Sequence, residues 1–111
     1  EKADWFISIH WNSAGNPNSR GCEAWYATGD EASSAMADAV VDAVAKTMQT
    51  PDRGSKPDGE NRHGRLGILH GHLKKTKKIL LELGFVSNEQ DLKNAAAKKT
   101  AIVDAIIKVL A

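Results

Sequence analysis

The stretch that decides the fold of this chain is ILLELGFVSN, residues 79–88. Its first half is a short apolar run that follows Lys77 and Lys78 and ends at Gly84. An apolar run of this length, bounded by charge and glycine, is typical of a strand buried on both faces of a parallel sheet. Asn88, followed by two polar helix formers, predicts that a helix begins directly after this strand.

One acidic residue, Glu82, interrupts the apolar run. An ionised carboxylate in such a place is costly unless a cation or a hydrogen-bond donor receives it. Open α/β folds place their ligand sites at the carboxyl ends of buried strands, just before the following loop. Two interpretations are therefore open: a functional carboxylate at the rim of the sheet, or an edge strand on which Glu82 faces water.

Length and composition indicate one globular domain. The chain has 111 residues, of which 41% are apolar and 26% are charged. Its 15 basic and 14 acidic residues give a net charge of +1, which predicts neither a nucleic-acid partner nor binding to a membrane surface. No apolar run is long enough for membrane insertion. The single cysteine, Cys22, excludes an internal disulfide and is interpreted as a small buried hydrophobe.

The remaining patterns alternate strands with helices, which predicts an α/β fold with an open, mostly parallel sheet flanked by helices. The predicted strands are residues 5–10, 21–26, 66–69 and the run around Glu82; the predicted helices are residues 31–48, 88–94 and 98–110. Asp30 is a candidate cap for the first helix, and Trp5 is predicted to lie in the core. The polar segment 51–64, which contains glycines and prolines, is predicted to be a loop.

Two polar residues end apolar strands far apart in the sequence, His10 and Glu82. If their strands run parallel in one sheet, both side chains emerge at the same rim. A neutral imidazole suits zinc, and a carboxylate beside the metal suits a general base for water. The pair alone does not decide between such a site and a hydrogen-bonded, purely structural histidine.

Two motifs carry a family resemblance. Residues 7–13, ISIHWNS, resemble the strand motif of zinc-dependent N-acetylmuramoyl-L-alanine amidases, the group of bacterial cell-separation amidases and many phage endolysins. Residues 82–88, ELGFVSN, resemble the second motif of that family, and residues 53–56 and 66–69 fit the order between them. Because these motifs span nearly the whole chain in the right order, the chain is identified as a member of this family.

The resemblance implies a hydrolase that acts on peptidoglycan at the cell envelope or outside the cell. The bond cut would be the amide between N-acetylmuramic acid and the L-alanine of the stem peptide. Carried over residue by residue, His10 would be a ligand of a Zn²⁺ cofactor and Glu82 the catalytic acid and base. Trp11 and Asn12, beside His10, are candidate substrate-binding residues, since an aromatic ring offers contact area to a glycan or peptide.

The chain also departs from the family pattern. The family's domain begins with a Gly-His-Gly turn and a helix-borne glutamate that supply two further zinc ligands, and neither motif occurs in this sequence. We therefore expect the carboxyl-terminal three fifths of a catalytic domain, without its first two strands and with an incomplete metal site. A missing amino-terminal segment of the same domain would then be its partner. Rebuilding the site within the chain would need His63, His70 or His72, which otherwise are polar loop residues or substrate contacts.

Three functional hypotheses follow from these residues. The first is the catalytic part of a zinc amidase. The second is a non-catalytic wall-binding or regulatory module that keeps the fold without a working metal site, and the third is a generic α/β domain with chance motifs. Glu82 favours the enzyme, because a module freed from catalysis has no reason to keep a carboxylate in an apolar strand.

Overall fold

The computed structural model describes residues 3–71 and 75–111, which contain a four-stranded sheet and three α-helices. The strands are β1 (Trp5–Asn12), β2 (Cys22–Tyr26), β3 (Asp52–Pro57) and β4 (Lys77–Phe85). The helices are α1 (Glu31–Met48), α2 (Glu89–Ala97) and α3 (Lys99–Leu110), and two short 3₁₀ turns span Asp58–Glu60 and Gly67–Leu69. Among the described helices, none has both the length and the apolar composition that crossing a membrane requires.

The strands lie in the order β1-β4-β2-β3. The pairs β1–β4 and β2–β3 are parallel, and the pair β4–β2 is antiparallel. The sheet is thus open and mixed, with parallel pairing predominating, and the predicted α/β class is confirmed. Because β4 lies between two strands, the edge-strand interpretation of Glu82 is wrong; Ile79 and Leu81 of this strand are fully buried.

Helix α1 supplies most of the core on one face of the sheet. Its apolar stripe, which includes Met36, Val40 and Val44, is buried and belongs to one cluster with the apolar residues of β4. Burial of each such side chain contributes about 1.5–3 kcal/mol. As predicted, Asp30 caps the helix: its carboxylate accepts a hydrogen bond from the Ser33 amide at 3.1 Å.

Asn88 begins α2 as the sequence predicts. Its side-chain oxygen accepts a hydrogen bond from the Asp91 amide at 2.9 Å, which satisfies one of the free donors of the first turn. Helix α3 then buries Ile102 and Ile106 in the same core cluster. Both predicted carboxyl-terminal helices are therefore present, with α2 longer than expected.

Two predicted elements are wrong. Residues 52–57 form strand β3 rather than a loop, and the predicted strand 66–69 is replaced by the 3₁₀ turn Gly67–Leu69. In the described sheet β3 is an edge strand that pairs with β2 and keeps its polar side chains partly exposed, so its composition is typical of a loop. Gly54, at φ 83°, lies where the pairing with β2 shifts register. In the 3₁₀ turn, Leu69 is buried against Trp25 instead of joining the sheet.

Trp5 and Cys22 were both predicted to be buried, and the structure bears this out for Cys22 but not for Trp5. Trp5 is 38% exposed on the edge strand β1, so its predicted place in the core is wrong. Cys22 is fully buried, which confirms its interpretation as a small hydrophobe. Burial, with a smaller effect of neighbouring carboxylates, raises the pKa of this thiol to about 12. The thiol therefore stays protonated and unreactive near neutral pH.

Candidate active site

Three polar residues lie in one row across the sheet. His10 and Glu82 are register partners in the parallel pair β1–β4, and Glu23 is the partner of Glu82 in the antiparallel pair β4–β2. Register partners in neighbouring strands point to the same face of a sheet. The row therefore brings one imidazole and two carboxylates, separated by up to 72 residues in sequence, to one face.

Glu82 is half-buried in this row. The indole nitrogen of Trp25 donates a hydrogen bond to its Oε1 at 2.9 Å. Burial raises the pKa of Glu82 above its ordinary value; the Glu23 carboxylate adds to the effect, while the Trp25 hydrogen bond and the Lys56 charge oppose it. A carboxyl group with a raised pKa, at the wall of a cavity, is suited to accept and return a proton.

Glu23 is a functional candidate that the sequence analysis missed. Its side chain is 5% exposed, and its two oxygens accept hydrogen bonds from Asn12 Nδ2 and Lys56 Nζ, both at 2.7 Å. A carboxylate buried in this way is stable because it is paired and hydrogen-bonded. The sequence feature that could have identified Glu23 is the one that identified Glu82: Glu23 also interrupts an apolar run, in residues 21–26.

The two predicted substrate-binding residues lie beside Glu82 but in different environments. A cavity of about 380 Å³ is lined by Trp11, Asn12 and Glu82 among others. Trp11 is exposed and its ring is available to a ligand. Asn12 is instead held by the protein, because its amide nitrogen donates to Glu23 and its oxygen accepts from the Ser13 amide at 2.8 Å.

The histidines of the described part of the chain do not form one cluster. His10 is exposed, and its Nε2 lies 2.6 Å from Ser8 Oγ. His63 shares a small pocket with His10 and Glu82, and its Nε2 accepts a hydrogen bond from Arg62 at 3.2 Å. Of the other two predicted candidates, His70 pairs with a separate carboxylate, and His72 lies outside the described residues.

The partner of His70 is Asp58, at 2.6 Å from the imidazole Nε2. Although burial acts in the opposite direction, hydrogen bonds from His70, the Leu66 amide and Thr28 hold the pKa of Asp58 well below its usual range. This carboxylate joins the end of β2 to the turn after β3. His70 is therefore a structural residue within the described part of the chain.

A complete metal site is not formed by the described residues. In residues 3–71 and 75–111, no three histidine, cysteine, aspartate or glutamate side chains are grouped so that they could hold a metal ion. Catalytic zinc sites use three protein ligands and keep an open position. His10 fits the role of one such ligand, and a full set does not come from the described part of the chain.

Removal of the indole donor tests the environment of Glu82. In Trp25→Phe the aromatic ring remains but the hydrogen bond that stabilises the ionised carboxylate is lost, so we expect the pKa of Glu82 to rise further. The measurement is a ¹³C NMR titration of the carboxyl carbon. Trp5→Phe, on the exposed edge strand, is the matched control and should leave the titration unchanged. A lower pKa in Trp25→Phe would contradict the assigned role of the indole.

Comparison with protein families gives one match. The sequence model of a family described as N-acetylmuramoyl-L-alanine amidase matches residues 1–111. A comparison with curated proteins found no match.

Comparison with solved structures finds amidase and endolysin domains. The chain is 25% identical to the catalytic domain of the CD27L endolysin targeting Clostridia difficile, with a TM-score of 0.76 over 96% of this chain and 53% of that one. It is 28% identical to a protein from Neisseria meningitidis proposed to be an N-acetylmuramoyl-L-alanine amidase. The TM-score is 0.75, over 97% of this chain and 57% of that one. It is also 28% identical to the catalytic domain of CwlV, an N-acetylmuramoyl-L-alanine amidase from Bacillus (Paenibacillus) polymyxa var. colistinus. The TM-score is 0.61, over 96% of this chain and 51% of that one. The chain thus spans about half the length of these structures.

Proposed function

The chain belongs to the N-acetylmuramoyl-L-alanine amidase family, and from this premise we propose that it hydrolyses peptidoglycan at the cell envelope or outside the cell. The bond is the amide between the lactyl group of N-acetylmuramic acid and the L-alanine of the stem peptide. The observation that carries the proposal is Glu82: a half-buried carboxyl group at the wall of a cavity, held by an indole hydrogen bond of 2.9 Å.

Glu82 performs the proton transfers of this reaction. A water molecule adds to the scissile carbonyl carbon while the Glu82 carboxylate accepts one of its protons. The same carboxyl group then returns the proton to the alanine nitrogen as the carbon–nitrogen bond breaks. The products are a lactyl carboxylic acid and a peptide with a free amino terminus, so atoms and protons balance. The Trp25 indole fixes the orientation of the carboxylate toward the cavity.

We further propose Zn²⁺ as the cofactor, with His10 as one of its ligands. A zinc ion bound at such a site polarises a carbonyl and lowers the pKa of water. The remaining ligands would come from groups outside the described residues, since the described ones form no group of three side chains that could hold a metal ion. Trp11, exposed on the same cavity, is the proposed contact for the glycan or peptide.

Zinc content tests the assignment of His10. In the intact natural protein, His10→Ala is expected to lose most of its bound zinc, because loss of one of three ligands weakens a catalytic site severely. The measurement is elemental analysis after dialysis. His63→Ala, at the neighbouring exposed imidazole, is the control and should retain its zinc. Full zinc occupancy in His10→Ala would remove His10 from the ligand set.

The products of digestion test the reaction. Purified peptidoglycan treated with the intact protein should release peptides that begin with L-alanine and leave muramic acid with a free lactyl carboxyl group, both identified by mass spectrometry. New reducing sugar ends or cuts within the peptide would overturn the proposed bond. Binding to peptidoglycan without release of any product would favour the non-catalytic module, in which the half-buried carboxylate of Glu82 has no function.

A further inference from the structure

Arg53, on the edge strand β3, presents a fixed cation to the cavity that Glu82 lines. Its guanidinium carbon lies 5.0 Å above the centre of the Phe85 ring, a cation–π contact. Its aliphatic part lies against Gly21, where a Cβ atom would come within 2.8 Å of the Arg53 side chain. The side chain nevertheless stays 42% exposed. The protein therefore orients this guanidinium while leaving its hydrogen-bond donors accessible.

The guanidinium of Arg53 is only weakly paired within the described part of the protein. Its nearest carboxylate is Glu23, and its Nε lies 3.8 Å from Glu23 Oε2, beyond hydrogen-bond distance. Both oxygens of Glu23 are already occupied by Asn12 and Lys56 at 2.7 Å. Lys56 is the cation at hydrogen-bond distance from this carboxylate, and Arg53 makes the longer ion pair with it. Arg53 is thus a second cation beside a carboxylate that is already paired.

A second arginine reinforces the positive character of this side of the cavity. Arg62 also lines the cavity, on the turn that carries His63. Two described cations, Arg53 and Arg62, and two described carboxylates, Glu23 and Glu82, line the cavity, and Glu23 is itself paired with Lys56. An anionic group of the ligand would meet the exposed guanidinium groups of Arg53 and Arg62.

We propose that Arg53 binds a carboxylate group of the stem peptide, on the peptide side of the scissile amide, so that the site prefers an acidic peptide. The inference rests on the proposed function and deepens it by naming the substrate group that this face recognises. A guanidinium presents two parallel N–H donors that match the two oxygens of a carboxylate, which gives geometric selectivity as well as charge. With one end of the peptide at Arg53 and the other at Glu82, the same cavity would align the alanine nitrogen with its proton donor.

Binding of two dipeptides tests the inference. The probes are L-alanyl-D-glutamate and the same dipeptide with both carboxyl groups amidated, titrated into the protein by NMR. The acid should bind about tenfold more tightly than the diamide, the effect of one charge-assisted pair. Arg53→Gln should abolish this preference and leave the affinity for the diamide unchanged. Arg53→Lys, which keeps the charge without the paired donors, should restore part of it.

Controls separate the inference from general charge effects and from the proposed function. Lys93→Gln, an exposed lysine on α2, should keep the full preference, and thermal melts should show that every variant is folded. Equal affinities for acid and diamide, no detectable binding of either, or a preference that survives Arg53→Gln would overturn the inference. Inorganic phosphate that competes as strongly as the acid dipeptide would do the same, by showing a general anion site. In each of these cases release of peptides that begin with L-alanine from peptidoglycan would continue, whereas failure of the proposed function would abolish that release and leave the dipeptide preference in place.

Discussion

Glu82→Gln is expected to lower amidase turnover by about 10³-fold, the usual contribution of a positioned acid and base. Glutamine has nearly the same shape, and its amide oxygen can still accept the Trp25 hydrogen bond, so the site should keep its geometry. The amide cannot take a proton from water or return one to the alanine nitrogen. The measurement is the initial rate of peptide release from peptidoglycan by the intact natural protein.

The stability of this variant provides an independent result. Because the pKa of Glu82 is raised in the folded chain, the folded state holds this proton more tightly than the unfolded state does. Its contribution to stability is therefore lost as the pH rises from the ordinary value of 4.5 through the raised pKa. Glu82→Gln should remove that pH dependence and melt no earlier than the wild type at pH 7.

Glu89→Gln, the same change at an exposed position of α2, is the matched control. It should keep both the turnover and the pH dependence of stability of the wild type. Wild-type turnover in Glu82→Gln would remove Glu82 from the reaction. A large loss of stability in that variant would instead show that the carboxylate is structural.

Asp91→Ala is expected to destabilise the chain by about 3–5 kcal/mol, the cost of breaking a buried, hydrogen-bonded ion pair. Asp91 is fully buried in the first turn of α2. Its Oδ2 accepts hydrogen bonds from the amides of Gly21 at 2.9 Å and Phe85 at 3.0 Å, and its Oδ1 accepts from Thr50 at 2.7 Å. Arg20 Nε lies 3.4 Å from Oδ1. Alanine would leave three buried donors without a partner.

The position of Asp91 explains why its effect should be large. The carboxylate joins the start of β2, the end of β4, the segment after α1 and the helix that carries it, so its loss loosens several elements together. Equilibrium unfolding in urea, followed by far-UV circular dichroism, measures the change. Asp104→Ala, at an exposed position of α3, is the control and should change the unfolding free energy by less than about 0.5 kcal/mol.

The contribution of Asp91 to stability depends on pH with a definite sign. Although burial opposes it, hydrogen bonds from Thr50, Gly21 and Phe85, with the charge of Arg20, lower the pKa of Asp91. The stability that this carboxylate contributes is therefore present above its unfolded value of 3.8 and is lost as the pH falls through the lower folded pKa. Asp91→Asn should be less destabilised than Asp91→Ala and should lack this acid-sensitive part. Equal stability of Asp91→Ala and the wild type would show that the network contributes nothing.

Local sequence patterns were sufficient to predict the elements that bury a continuous apolar face. The periodicity of α1, the Asn88 cap and the apolar run of β4 are encoded within a few neighbouring residues, and all three are present. The order of the motifs also predicted the family, which the match over residues 1–111 confirms. The roles assigned to His10 and Glu82 remain predictions.

Elements held by contacts across the sheet could not be predicted in the same way. β3 has a polar, glycine-containing sequence and forms a strand because β2 offers it a free edge. Trp5 has a large apolar side chain of the kind typical of a core. It is exposed because β1 lies at the other edge of the described sheet. Edge position is a property of strand order, which no single stretch of sequence contains.

The sequence by itself determined the family, the strand-to-helix unit around residues 79–88 and the presence of a carboxylate at its end. Only the tertiary structure decided what surrounds that carboxylate: Glu23 opposite it in the register, the Trp25 indole on its oxygen, and Arg53 across the cavity on the ring of Phe85. The physical reason is distance along the chain. Helical periodicity and caps act between neighbours, whereas these pairings join residues 32 to 59 positions apart, and only strand order and register bring them together.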